Sequence, residues 1–182
     1  MDYDPMVVEI TVTVTDAGGG ALSVIPDYSE DTEFNNTYEA SGNWTPTVSK
    51  ALSGRDLEAG KFSFEIYAVT GYDDEGEPIL SEEPIGTATN DADGNVVFEN
   101  IDYTQDDIGQ TFTYAIIEVA GEEGGMDYDP MVVEITVTVT DAGNGELSVT
   151  PVYPEDTEFN NSYAASGNWT PIVSKALSAG GR

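Results

Sequence analysis

Cysteine and histidine are both absent from this sequence. The first absence removes disulfides and thiolate metal sites. The second removes the usual general base, the usual zinc ligand and every triad built on imidazole, which leaves carboxylates, lysine and hydroxyls to carry any chemistry. Basic residues are scarce: 5 Lys and Arg stand against 35 Asp and Glu, for a formal charge of -30. Phosphate backbones and anionic membranes are held by clustered cations, so neither nucleic acid nor a membrane is an expected partner. No stretch approaches the roughly 18 apolar residues of a membrane span. The opening Met1-Asp2-Tyr3-Asp4-Pro5 has neither the basic region nor the apolar core of a signal peptide, so the chain is expected to be soluble, with any export signal outside it. What is present is 39% apolar residues and 10 tyrosines in a chain of 182. Their alternation with the acids supports a packed core rather than disorder, of a size for one well-built domain with flanking pieces.

A long internal repeat sets the organisation. Met1 to Asp16 returns unchanged as Met126 to Asp141, so the period, 126 less 1, is 125 residues. The match continues through Phe34-Asn35-Asn36 against Phe159-Asn160-Asn161, Ser41 to Pro46 against Ser166 to Pro171, and Ser49-Lys50-Ala51-Leu52 against Ser174 to Leu177. A period of this length is a whole domain, not a solenoid repeat, and implies beads on a string. The chain is cut out of phase with the beads. Residues 1–40 are read as the C-terminal strands of a preceding repeat, 43–164 as one complete domain, and 168–182 as the first strand of a following repeat. The joint Ala164 to Pro171, with its Trp and Pro, reads as a semi-rigid junction.

Within the complete bead the apolar pattern has period two. Val133, Ile135, Val137 and Val139 share one face, as do Phe62, Phe64 and Ile66, and Phe112, Tyr114 and Ile116. Turn signals at Gly71 to Gly76, Asp91 to Asn95 and Asp141 to Gly145 separate short strands with no convincing helix, which predicts an antiparallel β-sandwich. Three strands carry one polar residue in phase with the apolar set: Lys50 with Val48 and Leu52, Glu118 with Ile116, and Asn161 with Phe159 and Tyr163. Side chains in phase point inward. Burial of a lysine beside a glutamate favours the neutral pair. A neutral amine is a nucleophile, a carboxylic acid passes protons, and an Asn side chain is an electrophile whose leaving group departs as ammonia. The residues alone leave alternatives open: an amide between Lys50 and Asn161, an ordinary buried ion pair between Lys50 and Glu118, or a bulge that turns one of them to water.

These same residues carry a resemblance. Lys50 to Phe64, Phe112 to Glu118, Val137 to Asp141 and Phe159-Asn160-Asn161-Ser162-Tyr163 resemble the pilin isopeptide linkage domain of Gram-positive surface proteins, related to the B-type repeats of collagen-binding adhesins. The resemblance implies an all-β, immunoglobulin-like sandwich of the reverse-Ig, CnaB type. It further implies a first-strand lysine bonded to a last-strand asparagine beside a catalytic glutamate, roles that fall on Lys50, Asn161 and Glu118. The family's closing Phe-x-Asn selects Asn161 over Asn160, as parity with Phe159 does. By the same matching Asn36 is the acceptor of the preceding bead and Lys175 the donor of the following one, each without its full set of partners in this chain.

The expected function is a structural stalk or fibre module at the surface or cell wall of a Gram-positive bacterium, not an enzyme. The alternative is an adhesin module that holds a host protein or glycan in loops such as Tyr72 to Leu80 or Tyr103 to Gly109. Expected partners are neighbouring repeats of the same polypeptide, other copies in a filament, or a host surface ligand. No cofactor and no metal are expected: Asp91 to Asn95 lacks the glycine and glutamate positions of an EF-hand loop and reads as a hairpin turn. Val152-Tyr153-Pro154-Glu155 lacks the lysine of a sortase pilin motif.

Overall fold

The structure is a computed structural model that describes residues 1–176. In chain order the strands are β1 (Ile10–Gly18), β2 (Ala21–Tyr28), β3 (Ser41–Trp44), β4 (Thr47–Ser53), β5 (Ser63–Tyr72), β6 (Pro78–Leu80), β7 (Gly86–Thr89), β8 (Asn95–Val97), β9 (Ile101–Thr104), β10 (Thr111–Val119), β11 (Met126–Asp127), β12 (Val132–Gly143), β13 (Glu146–Val152) and β14 (Glu158–Tyr163). A single 3-10 turn at Gln105–Asp107 is the only helical element among the described residues. The protein is all-β, as the period-two pattern predicts. The chain divides into two compact units. One comprises Met1–Pro46, Glu99–Tyr114 and Ile135–Tyr153; the other comprises Thr47–Phe98, Ala115–Glu134 and the chain from Pro154 onward.

In the first unit β12 and β13 form a hairpin whose register runs from Thr136↔Val152 to Asp141↔Leu147 and shifts before Gly143↔Glu146. The two-residue turn is Asn144-Gly145, with φ of 58° and 82°, the positive-φ pair that suits the twist of the flanking strands. β13 pairs in parallel with β3, and β3 pairs antiparallel with β9. This turns Trp44 inward, 7% exposed, against the rings of Tyr114 and Tyr153. The segment Ser41 to Trp44, whose repeat read as part of a junction, is thus a paired strand. In the same unit β1 and β2 form a hairpin with the register of β12 and β13, from Thr11↔Asp27 to Asp16↔Leu22 with the same shift before Gly18↔Ala21.

The second unit is a sandwich. One of its sheets has the order β11-β14-β4-β8; the other places β5 between β6 and β10, with β7 also paired to β5. Phe64 of β5 and Phe159 of β14 meet edge to face at 5.2 Å. With Ile66, Val96 and Ile116 they are at most 1% exposed, and each such side chain contributes about 1.5–3 kcal/mol by leaving water. Most ladders are antiparallel, but β4 and β14 pair in parallel, Phe159 opposite Lys50 and Asn161 opposite Leu52. The first and last strands of the sandwich are therefore neighbours. β5 begins at Ser63, just after Phe62, whose N–H donates to the Asn90 side chain at 2.9 Å instead of to a ladder.

The described part of the last segment, 168–176, carries no strand. Trp169, the repeat of buried Trp44, is 84% exposed. A strand needs a partner, and β3 and β4 owe theirs to β9, β13, β8 and β14, which have no counterparts among the described residues after 164. Leu177 and Arg182 lie outside the described residues.

Candidate functional site

Among the described residues the second unit buries four polar side chains in apolar surroundings, and three of them meet. Lys50, Glu118 and Asn161 are 3%, 9% and 3% exposed. The alternation in β4, β10 and β14 points each of them inward, since every second residue faces the core. The Glu118 carboxylate joins the other two. Its Oε2 lies 3.2 Å from Lys50 Nζ, and its Oε1 accepts from Asn161 Nδ2 at 2.8 Å. Lys50 Nζ also donates to the Phe159 carbonyl at 3.1 Å and sits 4.7 Å from the centre of the Phe62 ring. Asn160 turns the other way, exposed, its amide donating to the Glu158 carbonyl. Parity alone thus separates the two asparagines.

Burial sets the electrostatics. Loss of water pushes the Lys50 amine below its ordinary range, although the Glu118 carboxylate pulls it up. The same loss pushes the Glu118 carboxyl up, against the pull of Lys50 and the hydrogen bond from Asn161. Both shifts move the pair toward the neutral amine and neutral acid. Their Coulomb attraction opposes this, and desolvation is the larger effect on each.

Several contacts hold the three in place. The Lys50 N–H donates to the Gly94 carbonyl at 2.7 Å and the Ser49 N–H to the Thr157 carbonyl at 3.0 Å, which tie β4 to its two neighbours. The Asp91 carboxylate is occupied by the Asp93 and Asn95 N–H groups and the Asn95 amide. That loop is a self-bonded turn, and its Gly94 carbonyl is the one that accepts from the Lys50 N–H. After β4, Arg55 grips Glu123 with both nitrogens at 2.6 and 3.0 Å and lies over the Tyr163 ring at 4.3 Å. Lys61, out of phase with its apolar neighbours, reaches Glu123 at 2.6 Å.

Sequence reasoning missed Asn90, Gly94 and Asp129. Asn90 is the fourth buried polar residue, 2% exposed; it bonds the Phe62 N–H and the Glu58 carbonyl. Asp129 contacts Asn161 through its backbone N–H, which no side-chain pattern can announce. Of the other two expected positions, Asn36 is exposed and its Oδ1 accepts from the Asp4 N–H at 3.0 Å, and Lys175 is exposed.

The family of the Spy0128-like isopeptide containing domain, FctA, matches residues 1–39 and 46–164. The chain belongs to this family. No curated protein matches the chain. Domains of the FctA family are pilin-type isopeptide domains of Gram-positive surface pilins, so the resemblance carried by Lys50 to Phe64 and Phe159 to Tyr163 holds at the level of the family. The stretch 46–164 contains Lys50, Glu118 and Asn161; the stretch 1–39 contains Asn36. No helix among the described residues is long and apolar enough to cross a membrane.

Proposed function

We propose that residues 46–164 form a fibre or stalk module of a Gram-positive surface protein that joins its own first and last strands by an amide between Lys50 Nζ and Asn161 Cγ. The observation that carries this reading is that one buried carboxyl, Glu118, touches the attacking nitrogen with one oxygen and the departing nitrogen with the other. The neutral Lys50 amine adds to Asn161 Cγ, and a C–N bond forms as the carbonyl electron pair moves to Oδ1. Glu118 takes a proton from the former lysine nitrogen and delivers one to Asn161 Nδ2. The tetrahedral centre collapses, the Cγ–Nδ2 bond breaks, and ammonia leaves; Glu118 ends as it began. The low-dielectric surroundings of Phe62, Phe64 and Phe159 favour the neutral reactants, and escape of ammonia draws the reaction forward.

The chemistry is a single internal turnover that leaves a structural product and needs no redox partner or metal. Joining β4 to β14 closes nearly the whole module into one loop, which opposes unfolding under tension and proteolysis. Intact mass is the test. The protein is expected to be lighter than its sequence by one ammonia, with the full mass restored by Lys50→Ala or Glu118→Ala. A full mass in the unsubstituted protein overturns the bond.

A further inference from the structure

The amide reaction needs a fourth group beside the three buried residues: a donor for the oxygen that gains charge as Lys50 adds. Asn161 Oδ1 accepts from the backbone N–H of Asp129 at 2.8 Å. The Asp129 side chain fixes that N–H. Its Oδ2 accepts from the Asn160 N–H at 2.8 Å and its Oδ1 from the Met131 N–H at 3.0 Å, so the residue clamps the β14 backbone beside the reacting side chain. The two ends of the Asn161 carboxamide are thereby told apart. A backbone N–H faces its oxygen and a carboxylate faces its nitrogen; the flipped amide would set N–H against N–H.

The repeat contains the clamp a second time. Asp4 N–H donates to Asn36 Oδ1 at 3.0 Å, the Asn35 N–H to Asp4 Oδ2 at 2.8 Å, and the Met6 N–H to Asp4 Oδ1 at 2.8 Å. Asn36 is exposed there, and among the described residues no lysine hydrogen-bonds to it. The clamp therefore forms without the buried pair, from the Tyr-Asp-Pro and Phe-Asn-Asn segments alone, and presents a carboxamide already polarised.

We infer that Asp129 is a further catalytic residue of the cross-link: its backbone N–H is the oxyanion donor to Asn161 Oδ1, and its carboxylate positions that donor. This rests on the proposed Lys50 to Asn161 bond. Lys50 Nζ attacks, Asn161 Nδ2 leaves through Glu118, and Oδ1 carries the developing charge on the Asp129 N–H, so each reacting atom has its own partner. Loss of one such donor slows reactions of this kind by about 100-fold or more.

The test replaces Asp129 by its α-hydroxy acid during cell-free synthesis, which exchanges the N–H for an oxygen and keeps the side chain. Ammonia loss is followed by intact mass in timed, acid-quenched samples of the full chain. The ester variant is expected to cross-link about 100-fold more slowly than the unsubstituted chain. Asp129→Asn keeps the N–H but turns an amide nitrogen toward one of the two N–H groups that the carboxylate holds, so it is expected to slow cross-linking by less than the ester does. The α-hydroxy acid at Asp4 is expected to change nothing. Cross-linking of the Asp129 ester at the unsubstituted rate overturns the donor. Absence of ammonia loss from the unsubstituted chain overturns the bond itself, and the donor with it. Melting of the ester in a Glu118→Ala background, compared with Glu118→Ala alone, shows whether slowing reflects misfolding; a slow ester whose melt collapses overturns the donor.

Discussion

At the scale of the residue, the site is decided by what burial does to two opposite charges. Glu118→Gln keeps an oxygen for Asn161 Nδ2 and nearly the same volume but cannot carry a proton. It is expected to fold and to retain the full, uncross-linked mass by mass spectrometry. Lys50→Ala is more damaging, because it also empties the buried space that the lysine chain fills; it is expected to be less stable than Glu118→Gln in urea unfolding by about 2 kcal/mol or more. A surface cluster has its own pH signature. Arg55 and Lys61 hold the Glu123 carboxyl down from 4.5 to about 2. A carboxyl with a lowered folded-state value stabilises the fold above its unfolded value and loses that contribution as pH falls through the folded one. The melting temperature of the protein is thus expected to exceed that of Glu123→Gln above pH 4.5, and the difference to vanish by about pH 2. A difference that stays constant over this range would remove the ion cluster as its cause. Lys50, Glu118 and Asn161 were legible in the sequence because each sits in phase with an apolar face. Asp129 was not, because it acts through a backbone N–H brought beside β14 by the chain's return.

At the scale of the element, the strands are made by alternation and aligned by their turns. Gly94 shows how tightly a turn can be bound to the site. Its φ is 88°, and a Cβ there would lie 2.2 Å from the Lys50 carbonyl oxygen. Gly76 has the same φ of 88° with nothing within 4 Å. In the uncross-linked Glu118→Gln background, Gly76→Ala is expected to cost only the left-handed conformation, roughly 1–2 kcal/mol. Gly94→Ala is expected to cost clearly more in urea unfolding, and in the Glu118 protein to slow ammonia loss, since it displaces the β4 backbone that carries Lys50. Equal costs for the two glycines would mean that the close approach of the turn to β4 is unimportant. The hairpin turns were legible from their Asp, Asn and Gly content. The parallel pairing of β4 with β14 was not, because nothing local in either strand encodes a partner about a hundred residues away.

At the scale of the whole molecule, the proposed bond is a constraint on the unfolded chain. Closing a loop of about 100 residues contributes about 5 kcal/mol in the chain-entropy account. Glu118→Gln is expected to be less stable than the cross-linked protein by about that amount in denaturant unfolding. Coincident unfolding curves, with ammonia lost from the one protein and kept by the other, would rule out this role for the bond. The excess of acid, with a net charge of -30, adds self-repulsion within the compact state and gives a covalent tie more to oppose.

The repeat separates what sequence alone determines from what tertiary structure decides. Identical segments make identical local structure: β1 and β2 share the register of β12 and β13, and the Asp4 clamp on Asn36 copies the Asp129 clamp on Asn161. Hydrogen bonds within a hairpin and between near-adjacent backbone groups need nothing from elsewhere. Burial does not repeat. Ile10, Val12 and Val14 are 52%, 52% and 54% exposed, whereas Ile135, Val137 and Val139 are 0% exposed; Phe34 is 57% exposed and Phe159 is 0%. Removal from water, and with it the shifted Lys50 and Glu118, depends on side chains supplied by distant strands. The sequence determines which polar residues lie in phase with an apolar face, and only the packing of the sandwich makes one asparagine of the two repeats a buried neighbour of the Glu118 carboxylate that Lys50 also touches.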